Sequence, residues 1–235
     1  MNFEHWIVFL SGGIGRRTGK NLPKQFVEIA GKPLFIHSLL CFLEYKPIKK
    51  IVLVMPENYM ELTEKYIGDY KLSNIVLIKG GKTRQQSSFN ALKRINKEKN
   101  KENIIVAIHD TARPFTKSEI IEKSFKIALE KGACLVAKGV TDSIYKQSDR
   151  VFQQLNRSKL ISAETPQTFR FPIIWDAHQK AREQKIENAS DDIILVLKAG
   201  YDIDVLLHST NNLKITKAED FEYTEFIIGK REKDE

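Results

Sequence analysis

The sequence predicts an α/β fold built on a doubly wound, mainly parallel sheet with a protruding β-arm. Three observations predict it. Short apolar runs, each the length of one buried strand, recur along the chain. Helical spacing separates most of them, as in successive β-α units. Near residue 140 that alternation stops, and two short β-type pieces flank a polar turn.

The elements follow in order. WIVFL at 6–10 reads as a buried strand. PLFIHSLLCFLEY at 33–45 places Leu34, His37, Leu40 and Cys41 at helix spacing, with Pro33 at the first helical position. IVLVM at 51–55 is a second strand, a polar helix follows over about 57–70, and IVLI at 75–78 is a third strand. GGKTRQQSSFNALKRI opens with loop chemistry and continues as a helix, with Ser88 as the expected cap. IIVAIH at 104–109 is a fourth strand. A helix over 117–131 runs from a Thr116 or Ser118 cap to Gly132, and CLVAKGV at 134–140 is a fifth strand. TDSIYKQSDRVFQQLNRSKL reads as a hairpin turning at QSDR. Helices are expected over 172–184, 191–199 and 217–229, and strands at 203–207 and in NNLKIT at 211–216, with a frayed GKREKDE tail. Neither an internal repeat nor a low-complexity linker appears, so one domain with an arm at about 140–160 is expected.

Composition narrows the function classes. Lys and Arg outnumber Asp and Glu by 38 to 30, a formal net charge of +8. That balance suits nucleic acid or small anionic substrates such as nucleotides and sugar phosphates. The basic residues are dispersed without a nucleic-acid signature, which favours the small anions. Cys41 and Cys134 form no CxxC pair and suit buried thiols in a reducing compartment. The start, MNFEHWIVFLSGG, lacks the features of a signal peptide, and no run reaches the roughly 18 apolar residues of a membrane span. A cytoplasmic protein is expected. His5, His37, His178 and His208 show no metal-ligand spacing.

LSGGIGRRTG at 10–19 follows the first strand. The P-loop pattern needs four residues between its glycines, but five separate Gly13 from Gly19, and Asn21 replaces the Ser or Thr that holds magnesium. The dinucleotide pattern GxGxxG fits Gly13 and Gly15 but meets Thr18 at its third position. What remains is a loop whose Gly12, Gly13 and Gly15 free backbone N–H groups for an anion, followed by Arg16, Arg17 and then Lys24 in LPKQF. These donors suit a triphosphate. A glycine-rich turn with solvated arginines is the alternative.

IHDTARPF at 108–115 ends a strand with Asp110 and Arg113, where open α/β sheets gather functional groups. Asp110 suits hydroxyls or a metal-nucleotide, and Arg113 suits phosphate. A buried Asp–Arg pair bracing the loop is the alternative. GGKTRQQSS at 80–88 offers Gly80, Gly81 and Ser87 to a base edge. In ETPQTF, Thr165 is held extended by Pro166. Helix capping accounts for Ser190 and Asp191 in SDD. Lys214 in NNLKIT alternates with Leu213 and Ile215, which alone describes a solvent-facing lysine.

Taken in order, GGxGxRxG, PKQF, GGxxRxxS, HDxARP, an arginine after the hairpin, TPQxF and NxKIT span residues 12 to about 220. This order resembles the 2-C-methyl-D-erythritol 4-phosphate cytidylyltransferase family, a nucleotidyltransferase family of Rossmann-like fold, and is similar to the related ribitol-5-phosphate cytidylyltransferases. The resemblance implies transfer of CMP from CTP to a polyol phosphate, with Mg2+ held mainly by the CTP phosphates and no protein metal ligands. It implies that Ser11, Gly12, Gly13, Gly15, Gly80, Gly81, Arg84 and Ser87 bind CTP. Arg17, Lys24, Arg157 and Lys214 would be the catalytic cations. Asp110, Arg113, Ser143, Thr165 and Ser190 would surround the acceptor, partly from a second subunit, and the arm would interlock in a homodimer. Neither nucleic acid nor a membrane is an implied partner. Ser11 and Gly12 stand where the family commonly has alanines, Gln86 where it has Asp, Ser143 and Ser190 where it has threonines, and Ile193 where it has a small residue. Ala112 favours the methylerythritol branch over the ribitol branch.

Overall fold

The computed structural model describes residues 2–11 and 22–234, with side chains as far as Lys230. Strand β1 (Glu4–Leu10) alternates its side chains between two cores. Trp6, Val8 and Leu10 enter one; Ile7 and Phe9 enter the other. That period of two, apolar on both faces, is what a strand covered on both sides requires. A small ribbon, β2 (Glu28–Ile29) and β3 (Lys32–Pro33), leads into α1 (Leu34–Leu43). Pro33 ends the ribbon and caps α1 instead of occupying its first turn. Then come β4 (Ile48–Met55), a 3-10 turn at Glu57–Tyr59, α2 (Met60–Asp69), β5 (Ile75–Lys79) and α3 (Arg84–Ile95). β6 (Ile104–Asp110), α4 (Ser118–Lys131) and β7 (Ala133–Gly139) complete the predicted units.

Helices α1, α2 and α4 cover the core with Ile7 and Phe9, while α3 covers the other. The strand order is β5-β4-β1-β6 from one edge, so the chain reverses direction between β1 and β6. In such a sheet the crevice outside the strand ends at the reversal is where ligands settle.

Caps differ from expectation. Thr83, not Ser88, caps α3: its hydroxyl accepts the Gln86 N–H at 3.1 Å. Ser88 is drawn inward by a buried carboxylate described below. The residue before α4 is Lys117, without a side-chain cap, because Thr116 donates instead to Asn212 Oδ1 at 2.8 Å. Gly132 closes α4 at φ +99, a conformation that L side chains rarely adopt.

The arm is β8 (Ile144–Ser148) paired with β9 (Val151–Leu155), a two-stranded sheet of its own, turning at Asp149 and Arg150. The next element has no counterpart in the sequence reading. β10 (Ile161–Arg170) is a central strand, antiparallel to β6 and β7 and lying between them. Pro166 would ordinarily exclude a central strand. It is accommodated because the register with β7 breaks between Ala163 and Gln167, and pairing with β6 starts only at Gln167.

Helices α5 (Phe171–Glu183) and α6 (Ile193–Lys198) cover the α3 side, and β11 (Asp204–Leu207) forms the second edge. Residues 211–216 are not a strand; they are irregular chain held by side-chain bonds. Helix α7 (Ala218–Asp234) runs beyond the predicted 217–229, through most of the expected frayed tail. Asp220 anchors its start by accepting the N–H groups of Thr216 and Lys217.

Candidate active site

At the chain reversal a cleft of about 490 Å³ opens. Leu10 and Ser11 follow β1, and Asp110, Thr111 and Ala112 follow β6. Lys82, Thr83, Arg84 and Ser87 come from the start of α3, and Lys24 and Lys214 complete the lining. Among these described lining residues, four cations face one carboxylate, that of Asp110.

Each wall has a local cause. In the PKQF segment Phe26 is buried against Phe35 and Tyr59, and Gln25 donates to the Ser11 carbonyl at 2.7 Å. Lys24, between Pro23 and those anchors, lies along the cleft and donates to the Ile215 carbonyl at 3.0 Å. Ile215 N–H in turn donates to the Ala112 carbonyl at 2.8 Å, joining three wall segments. Ser11 is buried, its hydroxyl on Thr111 at 2.9 Å.

Gly81 passes close to α3: a Cβ there would stand 2.4 Å from the Gln86 side chain. Its N–H donates to Ser87 Oγ at 3.0 Å, and that hydroxyl donates to the Thr83 carbonyl at 2.9 Å. Ser87 therefore faces the cleft with its proton engaged, so any bond it makes to a base must be as an acceptor. Gly80 lies beside the cleft in a neighbouring hollow, with its N–H on the Met55 carbonyl at 2.8 Å.

Asp110 accepts Lys214 Nζ at 2.5 Å and lies 3.7 Å from Arg84 Nε. Burial alone would raise its carboxyl, but the charges of Lys214 and Arg84 overcome burial and hold it below the usual range. The alternative of an Asp110–Arg113 pair is not what forms. Arg113 is buried, its Nη1 donating to the Asn212 carbonyl at 2.6 Å and lying 3.6 Å from Glu164. Burial pushes its guanidinium below the usual value. Its side chain supports the 211–216 segment and is not among the cleft lining.

His109 is buried, and burial pushes its imidazole down to about 3. It is therefore neutral, with one donor nitrogen and one acceptor. Nε2 meets the Arg113 carbonyl at 3.2 Å and must be the donor; Nδ1, 3.0 Å from Thr165 Oγ1, must accept. The Thr165 hydroxyl also accepts Asp110 N–H at 3.2 Å. Thr165 is fixed in direction, as expected, but its proton points at His109 and its lone pair holds Asp110.

The remaining expected residues are dispersed. Ser143 and Arg157 line a separate hollow at the root of the arm, where Arg157 Nη1 donates to the Thr141 carbonyl at 2.7 Å. Ser190 is exposed ahead of α6. Gly12, Gly13, Gly15 and Arg17 lie outside the described residues. Asp191 does act as a helix-start acceptor, taking Ile194 N–H at 3.0 Å.

Two buried residues that the sequence reading gave no role organise these walls. Asn212 donates to Glu164 at 2.8 Å and to the Thr165 carbonyl at 2.9 Å, while accepting from Thr116 and Arg113. It fixes the segment that presents Lys214, and the NxKIT pattern was the only signal for it. Asp192 accepts Arg84 Nη1 at 2.7 Å behind the cleft wall. Its neighbours in sequence describe only a helix start, so nothing local signals that pairing.

The chain has known relatives. The family model described as IspD: 2-C-methyl-D-erythritol 4-phosphate cytidylyltransferase matches residues 6–230. A protein of that name from Clostridioides difficile is 35% identical over 231 residues, covering 97% of this chain and 95% of its own. One from Thermosipho melanesiensis is 37% identical, covering 94% and 95%. Among solved structures, 4-diphosphocytidyl-2C-methyl-D-erythritol synthase from Anaerococcus prevotii superposes with a TM-score of 0.82 at 23% identity, over 97% of this chain and 96% of that one. The Francisella tularensis 2-C-methyl-D-erythritol 4-phosphate cytidylyltransferase gives 0.79 at 24%, over 95% and 99%. At those identities the structures attest the shared fold.

Proposed function

The chain belongs to the 2-C-methyl-D-erythritol 4-phosphate cytidylyltransferase family, and from that premise we propose that it transfers CMP from CTP to 2-C-methyl-D-erythritol 4-phosphate, releasing pyrophosphate, in isoprenoid precursor synthesis. The observation that carries the reading is the cleft at the β1/β6 reversal, where four cations face one carboxylate already engaged by two of them. Such a site suits a polyanionic substrate.

The chemistry follows from the charges. A phosphate monoester has a second pKa near about 6, so the acceptor oxygen is anionic at neutral pH and needs no general base. That oxygen forms a bond to the α-phosphorus of CTP. The bond to the bridging oxygen breaks, and pyrophosphate leaves with the electron pair. The protein's task is to bring two polyanions together and to hold the charge that develops. Lys24, whose Nζ is hydrogen-bonded to the carbonyl of Ile215, and the adjacent Lys214 are assigned to that task, with Arg17 from the glycine loop. Gly12, Gly13, Gly15 and Ser11 are assigned to the triphosphate, and Gly80, Gly81, Arg84 and Ser87 to the nucleoside side. Asp110 is assigned to acceptor hydroxyls, held in place by Thr165 and His109.

Magnesium is proposed as the companion of the CTP phosphates. Asp110, the one carboxylate among the described lining residues, is the side chain that would hold the ion or its waters. When bound, the ion supplies neutralisation of phosphate charge. A homodimer joined through the β8–β9 arm is also proposed, with Arg157 and Ser143 acting on the acceptor from the partner. No helix of the described residues is long and apolar enough to cross a membrane, and a cytoplasmic location is proposed with it.

The test is pyrophosphate release with CTP and magnesium, comparing 2-C-methyl-D-erythritol 4-phosphate with D-ribitol 5-phosphate. A strong preference for the first is expected. Preference for the second would overturn the acceptor assignment and keep the nucleotide chemistry. Release with neither would overturn the reading.

A further inference from the structure

Behind the cleft wall Asp192 is fully buried, out of reach of any substrate in the cleft. Three donors converge on it. Arg84 Nη1 reaches Oδ2 at 2.7 Å; Ser88 Oγ and His178 Nε2 reach Oδ1 at 2.7 and 2.9 Å. Its backbone N–H donates to Gln167 Oε1 at 3.0 Å, and Gln167 belongs to the central strand β10. Asp192 is thus tied to α3 and α5 through its carboxylate and to the sheet through its backbone. Burial pushes its carboxyl upward, but Arg84, His178 and Ser88 outweigh burial and keep it well below the usual range.

Arg84 is the other half of the arrangement. It lines the cleft with Asp192 behind it and Asp110 in front. The contacts are unequal: 2.7 Å to Asp192 against 3.7 Å to Asp110. Nη2 is buried without a hydrogen-bond partner. A buried ion pair of this kind is a weak source of stability, since an apolar group of similar volume often serves the fold as well or better. What it does supply is direction. Without the rear carboxylate, Arg84 keeps Asp110, 3.7 Å from its Nε, as its nearest carboxylate, while Asp191 acts on it only through its charge. Closing on Asp110 would take the guanidinium off the wall and compete with Lys214 for the same carboxylate.

We propose that Asp192 is a positioning residue: with Ser88 and His178 behind it, it fixes Arg84 in the cleft wall on the nucleotide side and leaves Asp110 to Lys214. The inference rests on the nucleotide assignment above. Asp192 touches no substrate and acts through Arg84 alone.

The experiment measures CTP binding to the full chain by calorimetry without acceptor, and steady-state constants for both substrates. D192N keeps the shape and removes the charge. It is expected to weaken CTP binding about tenfold or more, the scale of one charge-assisted hydrogen bond. The KM for the acceptor should stay within about threefold of wild type, a change too small for a lost charged contact. R84A should lose CTP affinity comparably, and R84A/D192N should bind CTP no worse than R84A. S88A withdraws one donor and should weaken CTP binding in the same direction, by about threefold. It tests the proposal where D192N fails to fold. Unchanged CTP affinity in D192N or in S88A, or additive losses in the double variant, would overturn the proposal. A wild-type chain that binds no CTP would overturn the functional reading on which it rests.

Discussion

Lys214 rests on Asp110 at 2.5 Å, a contact for which the proposed polyanionic substrate would compete. The pair is partly open to solvent, with the lysine side chain 42% exposed, so it contributes little to stability. Lys214→Ala should therefore lower turnover by about a hundredfold, the scale of one preorganised charge-stabilising donor. The melting temperature should barely move, because Asp110 keeps Arg84 nearby. Turnover near normal would remove Lys214 from the chemistry. His109 makes a different prediction. Unfolded, it takes up a proton near about pH 6.5; folded, burial delays that to about 3. Stability that it contributes is full above the upper value and is lost as pH falls through the window between them. The expected slope is about 1.4 kcal/mol per pH unit between about pH 6 and 4. Urea unfolding of wild type and His109→Gln across that range should differ by one proton's slope, and equal slopes would refute it.

Elements differ in how much of them local sequence can express. β1, β4, β6 and β7 are covered on both faces, and an apolar run is the direct imprint of that environment. β10 is equally central, yet beside Pro166 and Phe169 its buried residues are the polar Glu164, Thr165, Gln167 and Thr168, each satisfied by a partner far along the chain. Its identity as a strand is a tertiary fact. The site divides in the same way. Lys24, Arg84, Asp110 and Lys214 follow strand ends or recognisable motifs, and the fold does bring them to one cleft. Asn212 and Asp192 act through contacts about 48 and 108 residues apart, which no spacing pattern encodes. Where an element's conformation is local, sequence does determine it. Gly132 ends α4 at φ +99, and an added Cβ would stand 2.6 Å from Ile173 Cδ1. Gly132→Ala should cost about 1–2 kcal/mol, mostly for the backbone conformation, since the Ile173 methyl can turn aside. Urea midpoints would measure it, and a neutral substitution would show that the turn relaxes freely.

At the scale of the whole molecule, the arm is the part that stands apart from the main sheet. An isolated two-stranded ribbon is marginal in water. Here Tyr145, Val151 and Phe152 are exposed on it, Phe152 by 63%, with Ile161 exposed just beyond. Exposed aromatic and branched residues together mark a surface that takes a partner. At its root Ser143 and Arg157 line a polar hollow that shares no residue with the catalytic cleft of the same chain. Both features are met if the arm crosses to a second copy and delivers Arg157 to that copy's cleft. Two-fold symmetry then makes each site a composite of one chain's Lys24 and the other's Arg157. Lys24→Ala and Arg157→Ala should each be nearly inactive alone. After equal mixing and re-equilibration, half of the dimers are hybrids, and each hybrid has one site with both cations intact. About a quarter of the wild-type activity should return. Sedimentation should report a dimer for both variants and for the mixture. A monomer by sedimentation, or no recovered activity from a mixture proven to exchange subunits, would place Arg157 outside the partner's site and leave the arm's exposed face without this role.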